Sequence, residues 1–208
     1  MQLRVLLLAT LIIAIAGYFG PWTWHPAVAF QYSADDLSEF VKFMPAVRGG
    51  QVMIARELFF LPIWSGAVGV ALWSGRFIRG TVARCVIGAM VVYAAMWPLP
   101  RYPFILDAYR STEFGASFWG SLAASAACIA LLALGARLSD RWRAALWIAI
   151  GLLGATIAPV VFAQTKPALD ALHGWSLSIG WGLVADVAGF LVVALMGARY
   201  WRKGMARK

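Results

Sequence analysis

An all-α fold, one domain of six membrane helices with an amphipathic helix on its outer surface, is what this sequence predicts, and three observations predict it. Apolar residues make up 62% of the chain and charged ones only 13%, against about 25% charged in soluble proteins; mean hydropathy is +0.76. Apolar runs recur roughly every 30 residues, each close to the ~20 residues a helix needs to cross ~30 Å of hydrocarbon. Basic residues gather in alternate connecting segments. Helices are the economical solution, because in lipid every backbone N–H and C=O must be satisfied within its own segment.

The first span is read at 5–22. Its opening "MQLRVLLLATLIIAIAGYFG" also has the basic start, apolar core and Ala14-Ile15-Ala16 site of a secretory signal. Apolar and aromatic residues continue past that site through Tyr18, Phe19 and Trp22, so the segment is expected to be retained. Pro21 and Pro26 end it, among Trp22, Trp24, Phe30 and Tyr32, rings suited to a headgroup belt. Ser33 then stands three residues before Asp36 in a capping-box pattern. Leu37, Phe40, Val41 and Met44 follow at i, i+3, i+4 and i+7, with Asp36, Ser38, Glu39 and Lys42 on the remaining faces. An amphipathic helix is therefore expected over 34–44, ended by Pro45 and pressed on lipid or on the bundle.

The second span, 52–73, carries Arg56-Glu57 near its outer end and Pro62 further in, where a proline loosens a helix and frees a carbonyl. The third, 82–99, is, with the first, the shortest, and Arg84 near its entrance can snorkel toward the headgroups. The outer segment "RYPFILDAYRSTEFG" follows with Tyr102, Phe104, Tyr109 and Phe114. In the fourth span, 115–136, Ser117, Ser121 and Ser125 recur every four residues beside Gly120 and Ala124; a stripe of small residues lets helices approach closely. The fifth, 144–162, has Pro159, and the segment "AQTKPALDALHGWS" sets Leu169, Leu172 and Trp175 among Lys166, Asp170 and His173. The sixth, 177–198, places Asp186 about 14 Å from its outer end at 1.5 Å per residue, with Gly182 and Gly189 on the same face.

Orientation follows from charge. Arg4, Arg76, Arg79, Arg84, Arg137, Arg141, Arg143, Arg199, Arg202, Lys203, Arg207 and Lys208 fall in one set of segments with Asp140 as the only acid. The other set holds six basic residues against seven acids. Basic segments stay in the cytoplasm, so both termini are expected there. This also accounts for the net charge of +9 without a nucleic-acid partner, the basic tail "YWRKGMARK" acting as a stop-transfer signal against anionic lipid. Three even-numbered spans end alike, in "ALWSGRFIRG", "ALGARLSDRWR" and "ALMGARYWRK", the common look of an inward-running span with a basic stop.

No constellation for catalysis stands out. The chain lacks G-x-S-x-G, H-E-x-x-H and a phosphate-cradling glycine loop. His25 and His173 cannot fill a zinc tetrahedron and lie in no ligand cluster, so no metal, haem or other cofactor is expected. Cys85 and Cys128 lie on different spans and form no C-x-x-C; both read as packing residues. The binding candidates are Asp186, Arg56 and Glu57, because charges within spans are expensive and mark pairs or pathways. An unpaired carboxylate at the depth of Asp186 costs at least ~2.5 kcal/mol, so it is expected to be protonated or paired, with Arg56 as its cation or Tyr93 as a neutral donor.

The run Gly20-Pro21-Trp22, His25-Pro26, then "DLSEFVKFMPAVRGGQ" and Arg56-Glu57 resembles a group of uncharacterised bacterial integral membrane proteins of similar length. The likeness is best over 20–76. It implies a bacterial inner membrane protein and carries no activity, cofactor or catalytic residue with it. The function expected is that of a non-enzymatic membrane component, a subunit or accessory protein of a transport or other membrane complex, with lipids and other membrane subunits as partners. The alternatives are a small stand-alone transporter or channel that uses Asp186, and an intramembrane enzyme acting on lipid or quinone.

Overall fold

The computed structural model describes residues 2–25 and 30–205. Within them the chain forms helices α1 (Gln2–Phe19), α2 (Ala34–Phe40), α3 (Pro45–Arg48), α4 (Leu61–Phe77), α5 (Thr81–Met96), α6 (Gly115–Leu134), α7 (Asp140–His173) and α8 (Trp181–Met205). It also forms short strands β1 (Thr23–His25), β2 (Phe30–Tyr32) and β3 (Ser178–Ile179). Pro26, Arg207 and Lys208, which figured in the sequence reading, lie outside the described residues.

Close approaches at glycine fix the direction of each long helix. Gly66 and Gly69 of α4 meet Ile15 and Leu11 of α1, an antiparallel pair. Gly75 of α4 lies on Leu131 and Gly135 near the end of α6, while Gly120 near the start of α6 lies under Trp64 near the start of α4, so these two run parallel. Gly151 meets Phe190 and Ala194, and Gly197 meets Ala144 and Trp147, which makes α7 and α8 antiparallel. Trp64 Nε1 donates to the Ala95 carbonyl at 3.1 Å, joining the start of α4 to the end of α5. One end of the bundle therefore collects Phe19, Leu61, Met96, Gly115 and Trp181. The other collects Arg4, Arg76, Arg79, Arg84, Arg137, Arg141, Arg143, Arg199 and Arg202, and is called here the basic end.

Four stretches, Arg56–Phe77, Gly115–Leu134, Asp140–His173 and Trp181–Arg202, are long and apolar enough to cross a membrane. Arg4–Phe19 and Thr81–Met96 are apolar but shorter. These spans were expected to reach 22 and 99; Gly20-Pro21 and Trp97-Pro98 stop them early. The second span also starts later than residue 52, with a 3-10 turn Arg56–Phe60 leading into α4. Pro62 sits in the first turn of α4, where its missing N–H costs nothing, so it starts this helix rather than breaking it.

The largest correction is α7. The fifth span was expected to stop at 162, but the helix runs 34 residues, about 51 Å at 1.5 Å per residue, through both Pro159 and Pro167. Each proline removes one backbone hydrogen bond; buried Val161, Phe162, Thr165 and Leu169 hold the helix together around them. It ends at Gly174, whose φ of +73° suits a left-handed cap. Its last turns rise above the bundle as part of a cap.

A second correction is the small sheet, of order β2-β1-β3, in a chain read as wholly helical. Thr23 pairs with Tyr32 on one side and Ile179 on the other. The Gly180 N–H donates to the Trp22 carbonyl and the Gly182 N–H to the Pro21 carbonyl, both at 2.8 Å. The sheet thus ties the start of α8 to the end of α1. Because Leu177–Gly180 is extended, α8 begins at Trp181, and Asp186 lies about 7.5 Å along the helix, half the depth expected.

The amphipathic helix is present and shorter than expected, α2 passing into a 3-10 turn Val41–Phe43 before Pro45 opens α3. Its capping box is complete: the Asp36 N–H donates to Ser33 Oγ at 3.1 Å and the Ser33 N–H to Asp36 Oδ2 at 2.9 Å. Leu37, Val41 and Met44 are buried in a core with Tyr18, Trp22, Phe59, Phe60, Ile63, Phe162 and Leu169. The helix is seated on the bundle. At about 1.5–3 kcal/mol for each fully buried large apolar side chain, this face fastens the cap.

Candidate functional site

Arg56 is the most heavily connected charge of the cap. It is 7% exposed, and its Nη1 lies 3.3 Å from Glu39 Oε1 and 3.9 Å from Glu113 Oε1. Nε faces Glu57 Oε1 at 3.5 Å, and Nη2 donates to the Glu113 carbonyl at 2.7 Å. The guanidinium also rests 5.0 Å from the centre of the Phe114 ring. Lys42 Nζ completes the network, 2.6 Å from Glu39 and 3.1 Å from Glu113. A buried guanidinium needs partners on every side, and these come from α2, from the turn ahead of α4 and from the start of α6.

The expected pair of Arg56 with Asp186 is therefore not formed. Placing Arg56 inside a helical span had aimed its side chain into the bundle; in a 3-10 turn at the mouth it turns into the cap. Glu57, the other member of the adjacent pair, keeps its contact with Arg56 and borders a shallow cleft of about 470 Å³ with Lys42, Arg48 and Glu113.

A second polar cluster adjoins the first. Asp35 Oδ1 accepts from the hydroxyl of Tyr18 at 3.2 Å and from Trp97 Nε1 at 3.1 Å, bridging α1, α2 and the end of α5. Burial pushes the Asp35 carboxyl above the usual carboxylate range, the Trp97 and Tyr18 donors oppose that shift, and Asp36 and Glu39 reinforce it. Asp35 and Glu39 line a cleft of about 430 Å³ together with Phe60, Tyr93, Trp97 and Arg101. Tyr93 is 67% exposed and meets Trp97 edge to face, so it belongs to this cleft and donates nothing to Asp186. No family of known proteins, no curated protein and no solved structure matches the chain, and its site stands on this geometry alone.

Asp186 is fully buried, and neither carboxylate oxygen has a hydrogen-bond partner among the described residues. It sits where α1 and α8 touch: a methyl at Gly17 would overlap the Asp186 backbone, and one at Gly189 would meet the Thr10 carbonyl and Ala14. Small residues on both helices bring the backbones together. Tyr18, next to Gly17 in the chain, bonds Asp35.

The two histidines meet at one tryptophan. His173 lies parallel to Phe40 and Trp175 with centroids 6.3 and 6.4 Å away, and its Nε2 is 3.4 Å from the Tyr32 hydroxyl. His25 lies 4.6 Å from the same Trp175 ring. Among the described residues no three His, Cys, Asp or Glu side chains are grouped to hold a metal. Sequence reasoning missed the Tyr18–Asp35–Trp97 cluster, because its members are 17 and 62 residues apart; the signal that could have found it is Asp35 itself, an acid one position into a helix whose next face is apolar.

Proposed function

We propose that this chain is a six-span, non-enzymatic accessory subunit of a larger assembly in the bacterial inner membrane, with both termini cytoplasmic and the cap on the opposite side. Parallel α4 and α6 support the six spans: the chain must return between them, and α5 is the helix that can do it. Antiparallel packing of α1 along α4 supports the same role for α1. The shortfall in length of these two is met by local thinning of the bilayer and by snorkelling of flanking residues.

The observation that carries docking is the segment between α5 and α6. Two 3-10 turns, Phe104–Leu106 and Ala108–Arg110, give it a defined shape, yet Ala108 is the only residue they bury, while Tyr102, Phe104, Leu106 and Tyr109 stand 78, 65, 61 and 40% exposed. Exposed apolar patches mark interaction sites. Asp107, Arg110 and Glu113, exposed among them, give the polar rim of a protein interface. Photocrosslinking residues placed at Phe104 and Leu106 in native membranes are expected to give a protein adduct of defined mass; adducts to lipid alone would overturn docking. Reporter fusions after Gly80, Asp140 and Lys208 are expected in the cytoplasm, and those after Gly50 and Thr112 outside.

The unpartnered carboxylate of Asp186 favours a second reading, a small proton-coupled transporter, since intramembrane acids commonly mark ion pathways. It requires proton or solute flux in proteoliposomes that Asp186→Asn abolishes.

A further inference from the structure

We infer that the cleft between α2 and the end of α5 binds the headgroup of an aminophospholipid, a primary ammonium joined to a phosphate. The inference is independent of protein docking through the neighbouring segment. Its grounds are size, charge and position. The cleft, about 430 Å³, is of a size that takes a small polar group. Its lining brings together the carboxylates of Asp35 and Glu39, the guanidinium of Arg101 and the rings of Tyr93 and Trp97.

Asp35 spends one oxygen, Oδ1, on Tyr18 and Trp97, which orient the carboxylate. An ammonium seated there meets opposite charge from Asp35, the two Glu39 oxygens being engaged by Lys42 and Arg56, and the negative faces of aromatic rings, which attract cations. Arg101, exposed at the rim, offers the planar fork that suits a phosphate. A simple anion would meet Asp35 and a simple cation would meet Arg101; a zwitterion satisfies both.

Position supplies the acyl chains. The cleft opens where α5 leaves the bundle, and the face of α5 below it is Val82, Val86, Met90 and Tyr93, exposed by 78, 55, 64 and 67%. A lipid lying along that face brings its headgroup to the level of Trp97. Free phosphoethanolamine has the same polar chemistry without this apolar contact.

Purified protein in mild detergent is titrated with phosphatidylethanolamine, phosphatidylcholine or phosphatidylglycerol of identical chains, and with soluble phosphoethanolamine, while its melting temperature is followed. Saturating phosphatidylethanolamine is expected to raise Tm by about 5 °C, and the other three by less than a third of that. Asp35→Asn should remove the difference between phosphatidylethanolamine and phosphatidylglycerol, and Arg101→Gln should lower the shift given by phosphatidylethanolamine to the level of the other lipids or below; both variants fold, since Arg101 is exposed and the Asn oxygen still accepts from Tyr18 and Trp97. Equal shifts for the three lipids, or an ethanolamine preference that survives Asp35→Asn, overturn the site. A full shift from soluble phosphoethanolamine overturns its assignment to lipid.

Discussion

Arg56 is 7% exposed and faces Glu39, Glu57 and Glu113, three acids that are themselves partly solvated, so solvent screens each contact while the guanidinium remains dry. Arg56→Met is expected to lower thermal stability by about 1–3 kcal/mol, chiefly by leaving Glu57 without its cation and the Glu113 carbonyl without its donor. Arg56 and Asp186 share no partner, so a double-mutant cycle of Arg56→Met with Asp186→Asn should be additive within about 0.5 kcal/mol. Asp35 gives the opposite lesson. Its carboxyl titrates above the usual range because it is buried, and such an acid holds its proton more tightly in the folded chain than in the unfolded one. Stability contributed at Asp35 is then fully present below the unfolded value of about 3.9 and is lost as pH rises through the higher native value. Asp35→Asn should therefore be more stable than the parent at neutral pH, with the gap closing in acid, as read by melting temperature against pH.

Among the elements, α2 was the most legible and the cap around it the least. Ser33, Asp36 and the spacing of Leu37, Val41 and Met44 announce a start and a buried face within a dozen residues, and these are the side chains that cap and seat it. Leu37→Ala is expected to cost about 2–5 kcal/mol and Ser33→Ala about 1 kcal/mol, both measurable as a lowered melting temperature. The extension of α7 was hidden because Pro167 signals a stop locally, whereas Val161, Phe162 and Leu169 hold the helix in a buried core shared with Leu37 of α2 and Phe59 and Phe60 of the turn before α4, which no short window contains. The sheet was hidden for a similar reason. Its strands are two or three residues long, and the partner of Trp24 lies at Ser178. Depth in the sixth span was misjudged with it, since the extended residues before Trp181 look as apolar as the helix they precede.

Across the whole molecule, composition and the alternation of basic segments announced a membrane bundle with one basic end, and the helices bear this out in their directions. What the chain could not display was which helices touch. Contact is decided by glycines and alanines whose partners lie far away in sequence: Gly17 with Gly182 and Asp186, Gly189 with Ala14, Gly75 with Leu131. Gly182→Val should disrupt the bundle more than Gly88→Val, because the first sets a side chain against the Gly20 backbone while the second meets only the movable end of Leu132. Monodispersity by size-exclusion chromatography in detergent, expected to be lost in the first variant and kept in the second, distinguishes them.

The strand pairing that joins Thr23 to Ile179 bears on how the chain is made. The ribosome delivers α1 to the membrane some 160 residues before the segment that covers it (Thr23 and Ile179 are the paired positions). Until then the groove of Thr10, Ala14 and Gly17 has no occupant from its own chain. During synthesis that groove must be held by the insertion machinery or by lipid, and closure waits for α8. Chains released before α8 would carry an open α1 face, the kind of defect that membrane quality control recognises, so truncation at the connection after α7 should yield a rapidly degraded product rather than a smaller stable bundle.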